Sequence, residues 1–195
     1  MSQIERARSM SRRMFCVTGA TATVGLALGC VRGSSAAAST ADAAGDVTIE
    51  QFADDGTSSG LAKVPKVIKS EAEWKTQLSA DSFDITRREG TEPPFTGAYV
   101  DLHDHGIFRC ICCGTALFHS DTKFNSGTGW PSFYAPIEKT NVNEISDSSL
   151  GMVRTAVSCK RCDAHQGHVF DDGPRPTGLR YCINSVALKF VKFTV

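Results

Sequence analysis

Six of the eight cysteines fall in the second half of the chain, and four of these form two C-x-x-C pairs, Cys110–Cys113 in "CICC" and Cys159–Cys162 in "CKRC". A C-x-x-C turn aims two sulfurs at one point, and two such turns supply the four thiolates of a tetrahedral zinc site. The pairs are 45 residues apart (Gly114 to Ser158), so they must meet through the fold rather than along one ribbon. Each pair follows one strand-like run and precedes another, which suits two hairpin knuckles facing each other. Two alternatives stay open on spacing alone. One is a pair of disulfides, as in an exported protein. The other is a redox-active C-x-x-C, which usually opens a helix, although neither "CICCGTALF" nor "CKRCDAHQG" reads as a helix start. Cys112, inside the first pair, is a spare thiol or an alternative ligand.

The sixth cysteine, Cys182, stands apart in "GLRYCINS". On a strand, residues two apart share a face, so Arg180, Cys182 and Asn184 are expected to point the same way. A guanidinium beside a thiol favours the nucleophilic thiolate, and Asn184 adds a neutral donor. A buried, inert core cysteine is the competing reading. "DAHQGHVFDDGP" adds His165 and His168. These histidines could be zinc ligands; four cysteines already satisfy zinc, so a second role, as proton donors to a sulfur nucleophile, is open. Asp171 or Asp172 is placed to orient Arg180. Trp130, in the glycine-rich "NSGTGWPSF", is either a core anchor or the apolar wall of a cleft.

These groups need a scaffold, and the rest of the chain indicates which. Formal charge is zero over 195 residues, so nothing calls for nucleic acid. Residues 1–38 read as a twin-arginine export signal: Arg12–Arg13, a 13-residue apolar run from Val17 to Gly29, then a small-residue exit ending at Ala38. The run is shorter than the roughly 20 residues of a membrane span. "ALGC" leaves a lipid anchor at Cys30 as an alternative mature form. Removing this segment takes away Arg6, Arg8, Arg12, Arg13 and Arg32 against Glu5, leaving the remainder four charges negative. Residues 39–62, rich in Ala, Asp, Gly, Ser and Thr, read as a flexible linker, with the folded domain at 63–195. Ser70 with Glu73 forms a capping box for a helix to about Leu78, and Ser79 or Asp81 caps a second that Gly90 ends. From Ala98 onward, "AYVDL", "GIFRC", "TALFHS", "GMVRTAVSC", "HVF" and the long run Leu179–Phe193 read as strands. The last is expected to be buried on both faces or to bend at its middle. No strand–helix alternation appears, so the fold class is mainly β, antiparallel, behind two short N-terminal helices.

"GTEPPFTG", the two C-x-x-C pairs, "SGTGWPSFY", "HQGHVFDDGP" and "RYCINS", in this order, resemble the B-type peptide-methionine-(R)-sulfoxide reductases over roughly residues 65–190. The resemblance implies two antiparallel sheets and a structural zinc ion held by Cys110, Cys113, Cys159 and Cys162, away from the active site. It implies Cys182 as the catalytic residue, with His165, His168, Asp172, Arg180 and Asn184 lining the site and Trp130 against the substrate methyl group. The implied reaction reduces R-epimer methionine sulfoxide in oxidised protein substrates. One position departs from the pattern: many members carry a resolving cysteine where this chain has Thr128. A single-cysteine cycle follows, in which a thioredoxin-like protein or other thiol reduces Cys182. The protein is expected to be a monomer. The readings it displaces are a zinc-held β module for protein binding and a cysteine hydrolase, which would need an oxyanion hole.

Overall fold

The computed structural model describes residues 45–147 and 154–194. The export signal and Cys30 lie outside the described residues. Among those described, no helix is long and apolar enough to cross a membrane.

The chain opens with a two-stranded antiparallel sheet, β1 (Asp46–Phe52) and β2 (Ser58–Pro65). This corrects the reading of residues 39–62 as a linker: from Asp46 onward they are folded. The hairpin buries only Ile49 and Val64. Its attachment is mostly polar. Buried Asn141 accepts from Glu50 N through Oδ1 and donates through Nδ2 to Glu50 O and Ala116 O, while Arg109 donates to Phe52 O and pairs with Asp54.

Two helices follow, as the caps predict. In α1 (Glu71–Gln77) Ser70 and Glu73 form the reciprocal capping box, and α2 (Ala80–Arg88) starts at the Ser79 cap. The left-handed residue that ends α2 is Glu89, one residue before the expected glycine. The helices bury Trp74, Phe83 and Ile85 and extend two polar arms. Gln77 Nε2 donates to Cys112 O and Arg87 Nη1 to Cys162 O, so each cysteine knuckle is held by one helix.

The remaining strands are all antiparallel and make two sheets. β3 (Gly106–Cys110), β4 (Ala116–His119) and the C-terminal β11 (Leu188–Lys192) form a three-stranded sheet in the order β11-β3-β4. The larger sheet contains β5 (Lys123–Phe124), β6 (Ser132–Phe133), β7 (Val142–Asp147), β8 (Arg154–Cys159), β9 (His165–Phe170) and β10 (Arg180–Ile183), in the order β5-β6-β10-β9-β8-β7. The long C-terminal run does bend. A 3-10 turn at Ser185–Ala187 carries the chain from one sheet to the other. "AYVDL" is turn rather than strand, and β7 was not marked by its polar sequence. The core joins the two sheets through aromatic rings. Phe118 of β4 stacks on Phe133 of β6 at 4.5 Å between centroids, and Phe108 of β3 meets Phe133 edge-on at 5.0 Å. Each such pair adds about 1 kcal/mol beyond the area it buries. Tyr181 packs on Phe118 and, with Ile183, is almost fully buried. Alternation along β10 therefore commits Tyr181 and Ile183 to the core and turns Arg180 and Cys182 to the other face.

Candidate active site and metal centre

The two knuckles are built alike. Gly114 N donates to Cys110 O and Asp163 N to Cys159 O, both at 2.9 Å. Each turn closes through a left-handed residue, Gly114 at φ 77° and Asp163 at φ 54°, a conformation that glycine and the short polar residues adopt most readily. The turns bring all four Sγ atoms within 4.8 Å of one another, with Cys113–Cys159 at 3.5 Å and Cys110–Cys162 at 3.6 Å. Sulfurs about 2.3 Å from a tetrahedral ion lie about 3.8 Å apart, so four thiolates here are positioned to bind a metal ion. Burial pushes the Cys110 thiol well above its ordinary value, which is what a metal's charge would reverse. Gln166 Nε2 adds a contact to Cys110 Sγ at 3.6 Å. The spare thiol Cys112 is buried and lies 3.4 Å from Thr86 Oγ1.

On the face of β10 turned away from the core, Cys182 stands directly across from His168 on β9 and Ser132 on β6. Cross-strand partners share a face, with Cβ atoms about 5 Å apart. His165 and His168, three residues apart, would face opposite ways on a regular strand. A register shift opposite Val157/Ser158 breaks the alternation, and the two rings meet at 5.2 Å between centroids. The glycine between them is required: a Cβ on Gly167 would stand 2.0 Å from Cys182 O.

Asp172 holds Arg180 in a bidentate pair, Nε to Oδ1 and Nη2 to Oδ2, both 2.8 Å, and the guanidinium lies 4.4 Å over the Phe170 ring. That pairing depresses the Asp172 carboxyl. Its neighbour Asp171 instead lines a groove with Glu144. Cys182 differs from the expectation. Burial raises its thiol above the ordinary value, and the nearby Arg180 guanidinium offsets this only in part. The resting group is therefore a thiol. Thr128 Oγ1 lies 4.0 Å from Cys182 Sγ. Thr128 and Ser132 are joined through Ser126 Oγ, at 2.8 and 2.7 Å.

Asn184 also differs. Its amide is engaged at both ends, Oδ1 accepting from Glu92 N at 3.0 Å and Nδ2 donating to Gln166 O at 3.0 Å. It ties β9, the turn after β10 and the 91–97 loop together rather than offering a donor to the cleft. Trp130 is half-buried and donates through Nε1 to Glu92 O at 3.0 Å.

Two residues escaped sequence reasoning. Glu92 is buried, and its carboxylate accepts from Ser185 N at 2.7 Å and Val186 N at 3.2 Å. Asp147, at the end of β7, accepts from His168 Nε2 at 3.0 Å and from Arg154 Nη2 at 3.1 Å. A groove of about 580 Å³ passes Asp147, Arg154, His165 and His168. His165 is buried, its Nε2 has no hydrogen-bond partner, and its pKa is pushed down to about 4 by burial and then by the neighbouring His168. No sequence signal pairs Asp147 with a residue two strands away. Glu92 sits in a quoted motif, but nothing about a lone glutamate shows that it is buried.

The SelR domain profile matches residues 78–192. The chain is 57% identical over 125 residues to a peptide methionine sulfoxide reductase MsrB of Herminiimonas arsenicoxydans, covering 64% of this chain and 91% of that protein. It is 54% identical over 125 residues to one of Hahella chejuensis, covering 64% and 90%. It is 56% identical over 124 residues to one of Acinetobacter baylyi, covering 64% and 89%.

Proposed function

Because the chain belongs to the SelR-domain family and is a methionine sulfoxide reductase, we propose that it reduces the R epimer of methionine sulfoxide in oxidised proteins by direct attack of Cys182. The observation that carries this is the cross-strand placement of Cys182 opposite His168, with the Trp130 loop closing over the thiol at Thr128.

A sulfoxide sulfur becomes electrophilic when its oxygen is protonated. Asp147 holds the Nε2 proton of His168, so the proton His168 gives to the sulfoxide oxygen is the Nδ1 proton of the imidazolium. The carboxylate stabilises that imidazolium and fixes its ring, as in other Asp–His pairs. His165, held neutral by burial, does not compete as a donor. As Cys182 Sγ attacks the substrate sulfur, an S–S bond forms and the thiol proton passes to the imidazole; the protonated oxygen then shifts from the substrate sulfur to Sγ, its old S–O bond breaking as the S–S bond cleaves. Methionine leaves, reduced by two electrons, and Cys182 becomes a sulfenic acid carrying the oxygen. Arg180, fixed by Asp172 and Phe170, stabilises negative charge on Cys182 as it forms. Trp130 supplies the apolar wall for the substrate methyl group, and Asn184 positions β9 against β10.

Thr128, whose Oγ1 lies 4.0 Å from Cys182 Sγ, carries no thiol. Cys112 is buried against Thr86 in the metal knuckle. We therefore infer a cycle without an internal disulfide. An external thiol displaces water from the sulfenic acid to form a mixed disulfide, and a second thiol releases Cys182. A thioredoxin-like dithiol fits this role. We assign zinc to the four-thiolate site, where the ion supplies structural cross-linking rather than chemistry. Residues 1–38 are inferred to export the folded domain, with the metal loaded before transport.

The test is a single turnover with an R-sulfoxide peptide and no reductant, followed by dimedone and peptide mapping. One methionine formed per enzyme with the adduct on Cys182 alone supports the cycle. A Cys112–Cys182 disulfide overturns it.

A further inference from the structure

Next to Trp130 is an apolar feature that the chemistry does not use. The loop Thr91–Gly97 carries Pro93, Pro94 and Phe95, all exposed. Phe95 is 71% exposed, the largest exposure among the large apolar residues described. Its φ is +64°, a left-handed conformation that bulky residues rarely adopt. An exposed aromatic ring in unfavourable backbone geometry is costly twice over, and the loop is built to keep it there. Phe95 N donates to Gly129 O at 2.7 Å. Gly129 can have no side chain, because a Cβ would lie 2.8 Å from Phe95 N and 2.9 Å from its ring. Thr96 Oγ1 closes the turn on Pro93 O at 2.8 Å. Both ends are anchored on the turn after β10, Glu92 through its carboxylate and Gly97 by an approach so close that a Cβ would stand 2.2 Å from Ser185 Oγ. Hydrogen bonds and close approaches thus hold the loop at both ends and at Phe95 N, while the Phe95 side chain stands in solvent.

The loop is also continuous with the active site. Glu92 O holds the Trp130 indole, and Gly129, bonded to Phe95, lies between Trp130 and Thr128. We propose that Pro93, Pro94 and Phe95 form a preorganised docking rim for the polypeptide segment that carries the sulfoxide, with Phe95 contacting an apolar residue next to the oxidised methionine. The occupant is an extended, locally unfolded stretch of an oxidised protein. Buried methionines have apolar sequence neighbours, and these become accessible together with the sulfoxide when the segment opens. A rim already fixed in its binding shape loses little freedom on binding. This inference rests on the reductase reading above and adds substrate selection to it.

The experiment compares two R-sulfoxide hexapeptides, one with leucine and one with serine beside the oxidised residue, in wild type, Phe95→Ala, Phe95→Gly and Phe95→Trp. Wild-type turnover of either peptide tests the reductase reading. The leucine-to-serine ratio of kcat/KM tests the rim. The rim predicts that the ratio falls about tenfold in Phe95→Ala, through KM. Phe95→Gly, which relieves the backbone strain while removing the ring, gives the same fall, and Phe95→Trp restores the ratio. An unchanged ratio in Phe95→Ala, whether or not overall activity drops, overturns the proposal and leaves Phe95 as a support for the Trp130 loop.

Discussion

The metal centre, formed where one knuckle leaves each of the two sheets, and the Cys182 face of the larger sheet are built by opposite rules. At the knuckles each chemical residue is delivered by a local turn, repeated with the same backbone bonds at Cys110–Gly114 and Cys159–Asp163, and braced by one helix arm apiece. At the catalytic face no two functional groups come from one turn. Cys182 belongs to β10, His165 and His168 to a bulged β9, Asp147 to the end of β7, and Trp130 and Glu92 to separate loops. Each half of the metal site is made by one local turn, and the packing of the two sheets brings the halves together. A site assembled across strands depends on register, on a glycine that lets two backbones touch, and on carboxylates, the buried Glu92 and the part-buried Asp147, that hold neighbours in place.

The sharpest way to break this contrast is to substitute one cysteine of each kind. Cys182→Ser is expected to abolish turnover while leaving the melting temperature and metal content as in wild type. Cys159→Ser, or strong chelation, is expected to lose the ion and the cooperative unfolding transition, since structural metal binding is folding free energy. Calorimetry with metal analysis on both proteins checks this. A fully folded, metal-free Cys159→Ser would erase the distinction.

Asp147→Asn comes next. An amide cannot stabilise the imidazolium, so kcat should fall on the order of a hundredfold with KM little changed, and Asp147→Glu should recover part of it. The histidine ¹⁵N spectrum provides an independent reading, because the His168 Nε2–H signal should shift in Asp147→Asn. Loss of stability with normal kcat would make Asp147 a strand-end tether instead.

Glu92→Gln should be milder. It replaces an acceptor of two backbone N–H groups with a poorer partner, costing about 2 kcal/mol. The melting temperature should drop by several degrees, and KM should rise as the Trp130 loop loosens.

Smaller still are the pH effects. His165 has its folded pKa pushed down to about 4, below the unfolded value of about 6.5. The unfolded chain therefore binds the extra proton first. This contribution to stability is present above about pH 6.5 and lost as pH falls through about 4. Melting curves from pH 7 to pH 4 should show it, and His165→Asn should flatten the dependence. For Cys182 the folded value lies above the ordinary thiol range, so its alkylation by iodoacetamide should still be rising with pH beyond about 8.5.

How much of this was legible in the sequence follows the same contrast. The metal ligands could be read from spacing because the knuckle is local. The two helices could be read from their caps, and the face of Cys182 from alternation along "RYCI". The hairpin at 46–65 could not, because it is held by side-chain amides from Asn141, about ninety positions away, rather than by an apolar stripe. Asp147 and Glu92 were missed for a similar reason: their partners are set by tertiary register, which no spacing encodes. The role of Asn184 could not be read either, since only the fold shows that both ends of its amide are engaged. The thiol state of Cys182 was read from one neighbour, Arg180, without the burial that outweighs it.

The central claim is that the Cys182 face, and not the metal knuckle, carries out a stereospecific reduction. It is tested most directly by a dithiothreitol-driven assay on the separated epimers of a methionine sulfoxide peptide, with wild type beside Cys182→Ser. Turnover of the R epimer alone, abolished by the substitution, is the expected result. Turnover of neither epimer by a folded, metal-loaded wild type, or equal turnover by Cys182→Ser, would contradict it.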